Sequence, residues 1–220
     1  MATNHNFPSR GLATTWSYKV WFNVSVKIAI TGGPSGGKTT LIEALKIEFG
    51  VKVKIVPEAA SILYKGGFPR VKSYDGYYHA QKAIFFTQRE LEELRAKTHP
   101  EALIVCDRGS LDSLAYWPDT EEHFYKTLET DRKTELARYD WIIHLDTATE
   151  PDYDATNEIR TENFSEALLL NDKIKKSWEG HPQRIIITAE SDFFGKMKKA
   201  TNVIDAILNK RPHQDIMSIT

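Results

Sequence analysis

The sequence feature that most constrains this chain is the octapeptide Gly-Gly-Pro-Ser-Gly-Gly-Lys-Thr at residues 32–39. It matches G-x-x-x-x-G-K-[ST] at every fixed position, follows the apolar run Val26 to Thr31 and opens the amphipathic run TTLIEALKIEFG. Such a strand-to-helix turn presents backbone N–H groups and the positive end of a helix dipole, and both attract phosphate. The octapeptide therefore predicts a phosphate-binding loop within an α/β domain.

The residues of this loop have distinct expected roles. Lys38 would place its ammonium between the β and γ phosphates of ATP, and the Thr39 hydroxyl would bind Mg²⁺. A turn that merely joins a strand to a helix has no need of Lys and Thr after its last glycine. The predicted contacts to the nucleotide are Gly33, Pro34, Ser35, Gly36, Gly37, Lys38, Thr39 and, as a secondary contact at best, Thr40.

The rest of the chain alternates short β-branched runs with longer segments of helical period. This alternation predicts an α/β fold with three layers around a mainly parallel five-stranded sheet. The predicted strands are Val26 to Thr31, Val51 to Val56, Leu103 to Asp107, Trp141 to Asp146 and Arg184 to Thr188. The predicted helices are Thr39 to Phe49, Tyr77 to Lys97, Leu111 to Tyr116, Thr120 to Tyr139, Ser165 to Trp178 and Phe193 to Lys210.

No repeat or Pro/Gly/Ser-rich linker divides the chain. We expect an N-terminal extension at 1–24, one catalytic domain at 25–210 and a C-terminal tail at 211–220. Two long connections, 64–78 and 147–163, are where substrate contacts are expected.

Composition excludes several functional classes. With 29 Lys and Arg against 30 Asp and Glu, the net charge of −1 offers no general field for holding nucleic acid. The single Cys106 permits no intramolecular disulfide, which fits a reducing compartment such as the cytoplasm. No apolar run approaches the ~18 residues needed to span a bilayer.

Two carboxylates end apolar strands and compete for the metal. Asp107 is preferred over Asp146, because Arg108, Gly109, Ser110 and Asp112 make a denser polar group after it. Asp146 is then a helix cap or a loop carboxylate. Cys106 and His144 lie within apolar strands and are expected to belong to the core.

Several quoted segments resemble a known family when taken together. TGGPSGGKTTLIEAL, VPEAA, DRGSLDSLAY and IRTE resemble the AAA-type P-loop ATPase and kinase domains grouped with nicotinamide-riboside kinases. DRG-xx-D-x-LAY is more distantly similar to thymidylate and deoxynucleoside kinases. This resemblance covers about residues 25–208 and implies strand order 2-3-1-4-5, with Mg²⁺-ATP at the carboxyl ends of the strands.

Fewer sequence features indicate which residues would bind the phosphoryl acceptor. In the kinases that the chain resembles, a carboxylate near Glu58 accepts the proton of the attacking hydroxyl, but Pro57-Glu58 is equally typical of a helix start. Gln88 is a candidate substrate contact on a mostly core-facing helix. Arg160 is the candidate lid cation, with an ion pair to Glu158 or Glu162 as the alternative, and Arg108 is the other available cation.

The leading hypothesis is a Mg²⁺-ATP-dependent kinase of a small nucleoside- or nucleotide-like acceptor. The catalytic candidates are Lys38, Glu58, Asp107, Arg108 and Arg160, and the metal candidates are Thr39 and Asp107. The alternative is a regulatory ATPase or GTPase that acts through a protein or membrane partner. A guanine signature is missing, because Asn209-Lys210 is followed by Arg211-Pro212. A purely structural P-loop domain is disfavoured by the intact Lys38, Thr39 and Asp107.

Overall fold

A computed structural model describes residues 25–149, 163–188 and 193–219 of the chain. Its centre is a sheet of five parallel strands in the order β2-β3-β1-β4-β5, which confirms the predicted topology. The strands are β1 (Lys27–Thr31), β2 (Val53–Val56), β3 (Leu103–Asp107), β4 (Trp141–Leu145) and β5 (Arg184–Ile187).

Helices pack on both faces of this sheet. They are α1 (Lys38–Phe49), α2 (Ala59–Lys65), α3 (Tyr74–Thr98), α4 (Asp112–Ala115), α5 (Glu121–Thr127), α6 (Arg132–Leu136), α7 (Phe164–Ser177), α8 (Phe193–Leu208) and α9 (His213–Met217). A short 3-10 helix, Gly50–Lys52, precedes β2.

The alternation of side chains along the strands divides the core into two halves. In β1, Ile28 and Ile30 face a cluster built with α1 and α8, whereas Ala29 faces the cluster built with α3, α5 and α7. Successive side chains of a strand point to opposite faces, so a sheet covered on both sides has apolar residues at consecutive positions. This accounts for the uninterrupted apolar runs that marked the strands in the sequence.

The segment expected to form one helix from Thr120 to Tyr139 is instead two helices, α5 and α6. The chain breaks between them, where Glu129 adopts a φ of 52° and the Asp131 side chain accepts a hydrogen bond from Thr134 N. Asp131 is therefore an N-cap of α6. The continuous-helix expectation was wrong because it followed periodicity and overlooked this cap.

Other boundaries differ from expectation more modestly. Residues Val51 and Lys52 belong to the 3-10 helix rather than to β2. Helix α3 begins at Tyr74, capped by Ser73, and the additional helix α2 shortens the first long connection to residues 66–73. In the expected tail, α9 buries Ile216 against the α8 side of the core.

The predicted extension at 1–24 and the candidate Arg160 lie outside the described residues. Within the described ranges, no helix has both the length and the apolar character needed to cross a membrane.

Candidate active site

The phosphate loop lies at the end of β1, the central strand, with β3 on one side and β4 on the other. Gly32 adopts a φ of 129°, and a Cβ placed there would lie 2.0 Å from the Leu145 carbonyl oxygen. Gly37 adopts a φ of 89° as the N-cap of α1. The first position needs a residue without a side chain for space, and both positions favour glycine for their backbone angles. The glycines of the motif thus allow the loop to pass close to β4.

Lys38 points back across this loop. Its ammonium donates hydrogen bonds to the carbonyl oxygens of Gly32 at 2.9 Å and Gly33 at 2.7 Å. Burial and then the charge of Arg108 lower the pKa of Lys38 to about 7, although nearby carboxylates oppose the shift. An anion placed beside this side chain would therefore favour its protonated form.

Glu58 follows β2 and faces the end of β3. Its carboxylate accepts a hydrogen bond from Arg108 Nε at 2.7 Å and another from the Ser61 hydroxyl. Burial opposes its ionisation, but the charge of Arg108 and these hydrogen bonds lower the pKa of Glu58 to about 2. Glu58 occupies the N-cap position of α2, yet its side chain makes no capping hydrogen bond. One carboxylate oxygen is thus directed toward Arg108, at the end of β3, and the other toward Ser61 in the first turn of α2.

Arg108 joins three parts of the site and has a φ of 75°, in the left-handed region. Besides Glu58, its guanidinium contacts Asp112 Oδ2 at 3.2 Å and the Gly32 carbonyl oxygen at 3.4 Å. Asp112 in turn accepts hydrogen bonds from the Thr31 hydroxyl at 2.5 Å and the Trp178 indole at 2.7 Å. These contacts connect β1, α4 and the residue that follows α7, and they fix the guanidinium beside the phosphate loop.

Asp107 is the least satisfied carboxylate of the group. Among the described residues, nothing donates a hydrogen bond to its carboxylate or forms an ion pair with it. Burial, followed by the charge of Glu58, raises the pKa of Asp107 to about 6, and Arg108 and Lys38 oppose the rise. A buried carboxylate of this kind gains strongly from a cation placed beside it.

These side chains line one cleft of about 730 Å³. The cleft also extends along α2, the connection 66–73 and the first turns of α3. Its lining includes Pro34, Ser35, Gly36, Gly37, Lys38, Thr39, Thr40, Glu58, Gln88, Asp107, Arg108 and Asp112. The structure therefore brings together the sequence-predicted candidates that lie among the described residues, except Gly33. Gly33 sits behind the loop, where its N–H donates to the Asn171 side chain at 2.9 Å.

Asn171, on α7, is a site residue that the sequence analysis missed. Its carboxamide accepts the Gly33 hydrogen bond, lies 3.0 Å from His144 Nε2 and donates to Asp146 Oδ1 at 2.9 Å. Asp146 also pairs with Lys175 at 2.6 Å, and these contacts lower its pKa despite burial. Asp146 therefore supports the loop from behind, away from the cleft. No motif in the sequence signals Asn171, because it lies far along the chain.

Gln88 connects the cleft to a second polar group. Its amide nitrogen donates to the Arg108 carbonyl oxygen at 3.0 Å and to Glu92 Oε1 at 3.1 Å. The group behind it, here called the Glu92 cluster, consists of Lys27, Glu92, Glu135, Arg138 and Tyr139. Gln88 lines the cleft, but its amide nitrogen is already engaged in holding Arg108.

The donors in the cleft suit Mg²⁺ when it arrives with a nucleotide. Within the described ranges, no group of three or more His, Cys, Asp and Glu side chains is placed to hold a metal by itself. Mg²⁺ in phosphate-binding sites takes one or two protein oxygens and completes its shell with phosphates and water. Thr39 and Asp107, which line the same cleft, match that donor set.

A parallel sheet in this order, with the phosphate loop after its central strand, defines the P-loop nucleoside triphosphatase fold. Residues 27–194, more than half of the chain, match the sequence profile of a family described as an AAA domain. The chain belongs to this family of P-loop domains.

Solved structures share the fold. Deoxyadenosine kinase from M. mycoides with bound dATP is 14% identical, with a TM-score of 0.58, and the match covers 82% of this chain and 99% of that chain. The dCTP-bound structure of deoxyadenosine kinase from M. mycoides is 18% identical, with a TM-score of 0.52 and coverage of 82% and 100%. At these identities the likeness establishes the fold alone. A search of curated proteins found no match.

Proposed function

We propose that the protein catalyses Mg²⁺-dependent transfer of the γ-phosphoryl group of ATP to a small nucleoside- or nucleotide-like acceptor. The observation that carries this proposal is the shared cleft. It begins at the phosphate loop, continues to α2 and α3, and contains Glu58, Asp107 and Arg108 between these two ends. The deoxyadenosine kinases of the same fold support the choice of acceptor class.

On the nucleotide side, the backbone of residues 34–40 and the Lys38 ammonium would bind the phosphates. Thr39 and Asp107 would hold Mg²⁺, which supplies neutralisation of the phosphate charge when bound. Lys38 exchanges its hydrogen bonds to Gly32 and Gly33 for phosphate oxygens, and the phosphates favour its protonated form. Arg108 offsets the negative charge that develops during transfer.

On the acceptor side, a hydroxyl oxygen of the acceptor attacks the γ-phosphorus of ATP. The bond from the γ-phosphorus to the β–γ bridging oxygen breaks, and ADP leaves with that electron pair. The hydroxyl proton passes to Glu58. A carboxylate with a pKa of about 2 is a weak base, but the loose transition state of phosphoryl transfer asks mainly for orientation of the hydroxyl.

Residues 25–210 form the catalytic unit, flanked by an extension at 1–24 and a tail at 211–220. Arg160 acts as a lid cation over the reacting phosphates. A cytoplasmic location, with ATP and acceptor available in a reducing medium, belongs to the same proposal.

The test is a phosphoryl-transfer screen with ATP and Mg²⁺ over nucleosides, nucleotides and nicotinamide riboside. We expect ADP formation that depends on one class of acceptor, with the phosphoryl group recovered on that acceptor. ADP formed at the same rate with and without every acceptor would overturn the kinase proposal and favour a regulatory ATPase.

The Glu58→Gln variant tests the role of the carboxylate. We expect the transfer rate to fall about 100-fold while ATP binding is retained, since the amide can neither take the proton nor pair with Arg108 as a carboxylate does. Glu90→Gln, an exposed change on α3, serves as the matched control. Transfer at the parental rate by Glu58→Gln would remove Glu58 from the mechanism.

A further inference from the structure

The end of the cleft opposite the phosphate loop has a charge pattern of its own. Residues 59–73 contain Lys65, Arg70 and Lys72 but no Asp or Glu. All three cations line the cleft and are exposed to solvent. We call these three residues the cationic wall.

Three of the four carboxylates in the described lining of the cleft pair with cations outside the wall, and the fourth, Asp107, forms no ion pair with a described residue. Glu43 pairs with Lys46 at 2.6 Å, and Glu58 and Asp112 both pair with Arg108. Across the described parts of the chain, Lys65 and Lys72 form no ion pair. Lys65 and Lys72 therefore add positive charge that no described carboxylate pairs with, in a cleft that already contains Lys38 and Arg108.

The backbone that carries the wall is held in place. Gly66 N donates to the Ile62 carbonyl oxygen at 2.9 Å, and Phe68 N donates to the Leu63 carbonyl oxygen at 2.9 Å. The Val71 carbonyl oxygen lies so close to α3 that a Cβ on Gly76 would be 2.1 Å from it. The cations consequently project from a packed segment, which lowers the entropy lost when they bind a ligand.

Arg70 is further oriented by an aromatic ring. Its guanidinium carbon lies 4.0 Å from the centre of the Tyr64 ring, and Tyr64 itself lines the cleft. The ring holds the guanidinium group at the wall of the cleft, and a planar guanidinium recognises phosphate with paired hydrogen bonds.

We infer that the acceptor carries an anionic group, a phosphate in the simplest case, which the cationic wall binds while an acceptor oxygen faces the γ-phosphate of ATP. This inference rests on the proposed function and narrows its acceptor class from nucleosides or nucleotides to nucleotides and related phosphorylated alcohols. The acceptor's own phosphate is a recognition element.

The experiment compares each nucleoside with its 3′- and 5′-monophosphates as acceptors, at fixed ATP and Mg²⁺. We expect kcat/KM to be about tenfold or more higher for a monophosphate than for its nucleoside, since hydrogen bonds to charged groups are among the stronger ones. The preference should shrink as salt is raised from low to high concentration, because the wall is exposed.

The triple variant Lys65→Gln, Arg70→Gln and Lys72→Gln should erase this preference without changing KM for ATP. The matched control removes three exposed lysines that do not line the cleft, as Lys52→Gln, Lys97→Gln and Lys126→Gln. Thermal unfolding tests whether both variants are folded. The comparison of acceptors with the unaltered protein does not depend on these variants.

The possible results distinguish a failure of the cationic wall from a failure of the kinase proposal. Transfer to nucleosides at least as good as to their monophosphates would overturn the cationic wall and leave the kinase proposal standing. A triple variant whose KM rises for ATP and not for the acceptor would also overturn the wall. Absence of transfer to every compound, with or without phosphate, would instead remove the kinase proposal and the wall with it.

Discussion

The cleft and the Glu92 cluster contain the same kinds of charged side chains but differ in how completely those side chains are paired. In the Glu92 cluster, Oε2 of Glu92 contacts Lys27 at 3.1 Å and Arg138 at 3.0 Å, while Oε1 accepts from Tyr139 at 2.6 Å and from Gln88. Both oxygens are thus satisfied inside the protein. In the cleft, no described residue gives Asp107 such a partner, and the hydrogen bonds that Lys38 makes within the described ranges go to backbone carbonyl oxygens.

This difference shows how burial can serve stability or function. Where charged side chains are paired with one another, removing one member leaves its partners buried and unpaired. Substitution within such a group therefore lowers stability. An incomplete set keeps groups such as Lys38 and Asp107 with pKa values of about 7 and about 6, where a ligand can shift them. Gln88 links the two sets, since it contacts both Glu92 and the Arg108 backbone.

The largest expected effect is on stability. Glu92→Ala should lower the free energy of unfolding by about 3–5 kcal/mol, because the largely buried Lys27 would lose its carboxylate partner and Arg138 would lose its closest one. Glu90→Ala, at an exposed position on the same helix, should change it by about 0.5 kcal/mol or less. Denaturant unfolding measures both, and a loss below about 1 kcal/mol in Glu92→Ala would contradict the assigned role of the cluster.

A comparable effect on chemistry is expected in the cleft. Lys38→Ala should reduce phosphoryl transfer about 100- to 1,000-fold, since it removes a positive charge from the reacting phosphates. It should also abolish the rise in melting temperature that ATP and Mg²⁺ produce. Lys126→Ala, an exposed lysine on α5, is the control. An unchanged melting shift in Lys38→Ala would show that nucleotide binds elsewhere.

A smaller effect should appear in the protons exchanged on binding. Lys38, with a pKa of about 7 before binding, is mostly neutral at pH 8, so phosphate binding should take up nearly one proton. Near pH 6, Asp107 is about half protonated, and binding of Mg²⁺ with the nucleotide should release protons. Calorimetry in buffers of different ionisation enthalpy measures both numbers. The same sign at both pH values would contradict this account of the two groups.

Sequence reasoning was most successful where local pattern and chemistry coincide. The glycines of residues 32–37 and the apolar runs predicted the turn and the five strands. The structure also confirms the sheet order that the resemblance implied. Glu58 and Arg108 were both candidates, but their ion pair was not foreseen, because the distance between β2 and β3 side chains depends on tertiary packing.

The parts that were missed depend on contacts between distant segments. Asn171, on α7, accepts a hydrogen bond from Gly33. Glu92 forms ion pairs with residues at the start of β1 and in the segment before β4. In the sequence, Asn171 stands in an amphipathic helix and Glu92 in a charged one, where polar residues are usually solvated. Only the packed structure distinguishes them from surface residues.

The central claim, that the phosphate loop binds the triphosphate of ATP, is tested most directly by the backbone amide signals in nuclear magnetic resonance spectra. On addition of ATP and Mg²⁺, we predict the largest shifts at the amides of residues 35–40 and little change at Glu92 and Arg138. Signals of the loop that stay in place at saturating nucleotide, or shifts concentrated elsewhere, would contradict the account.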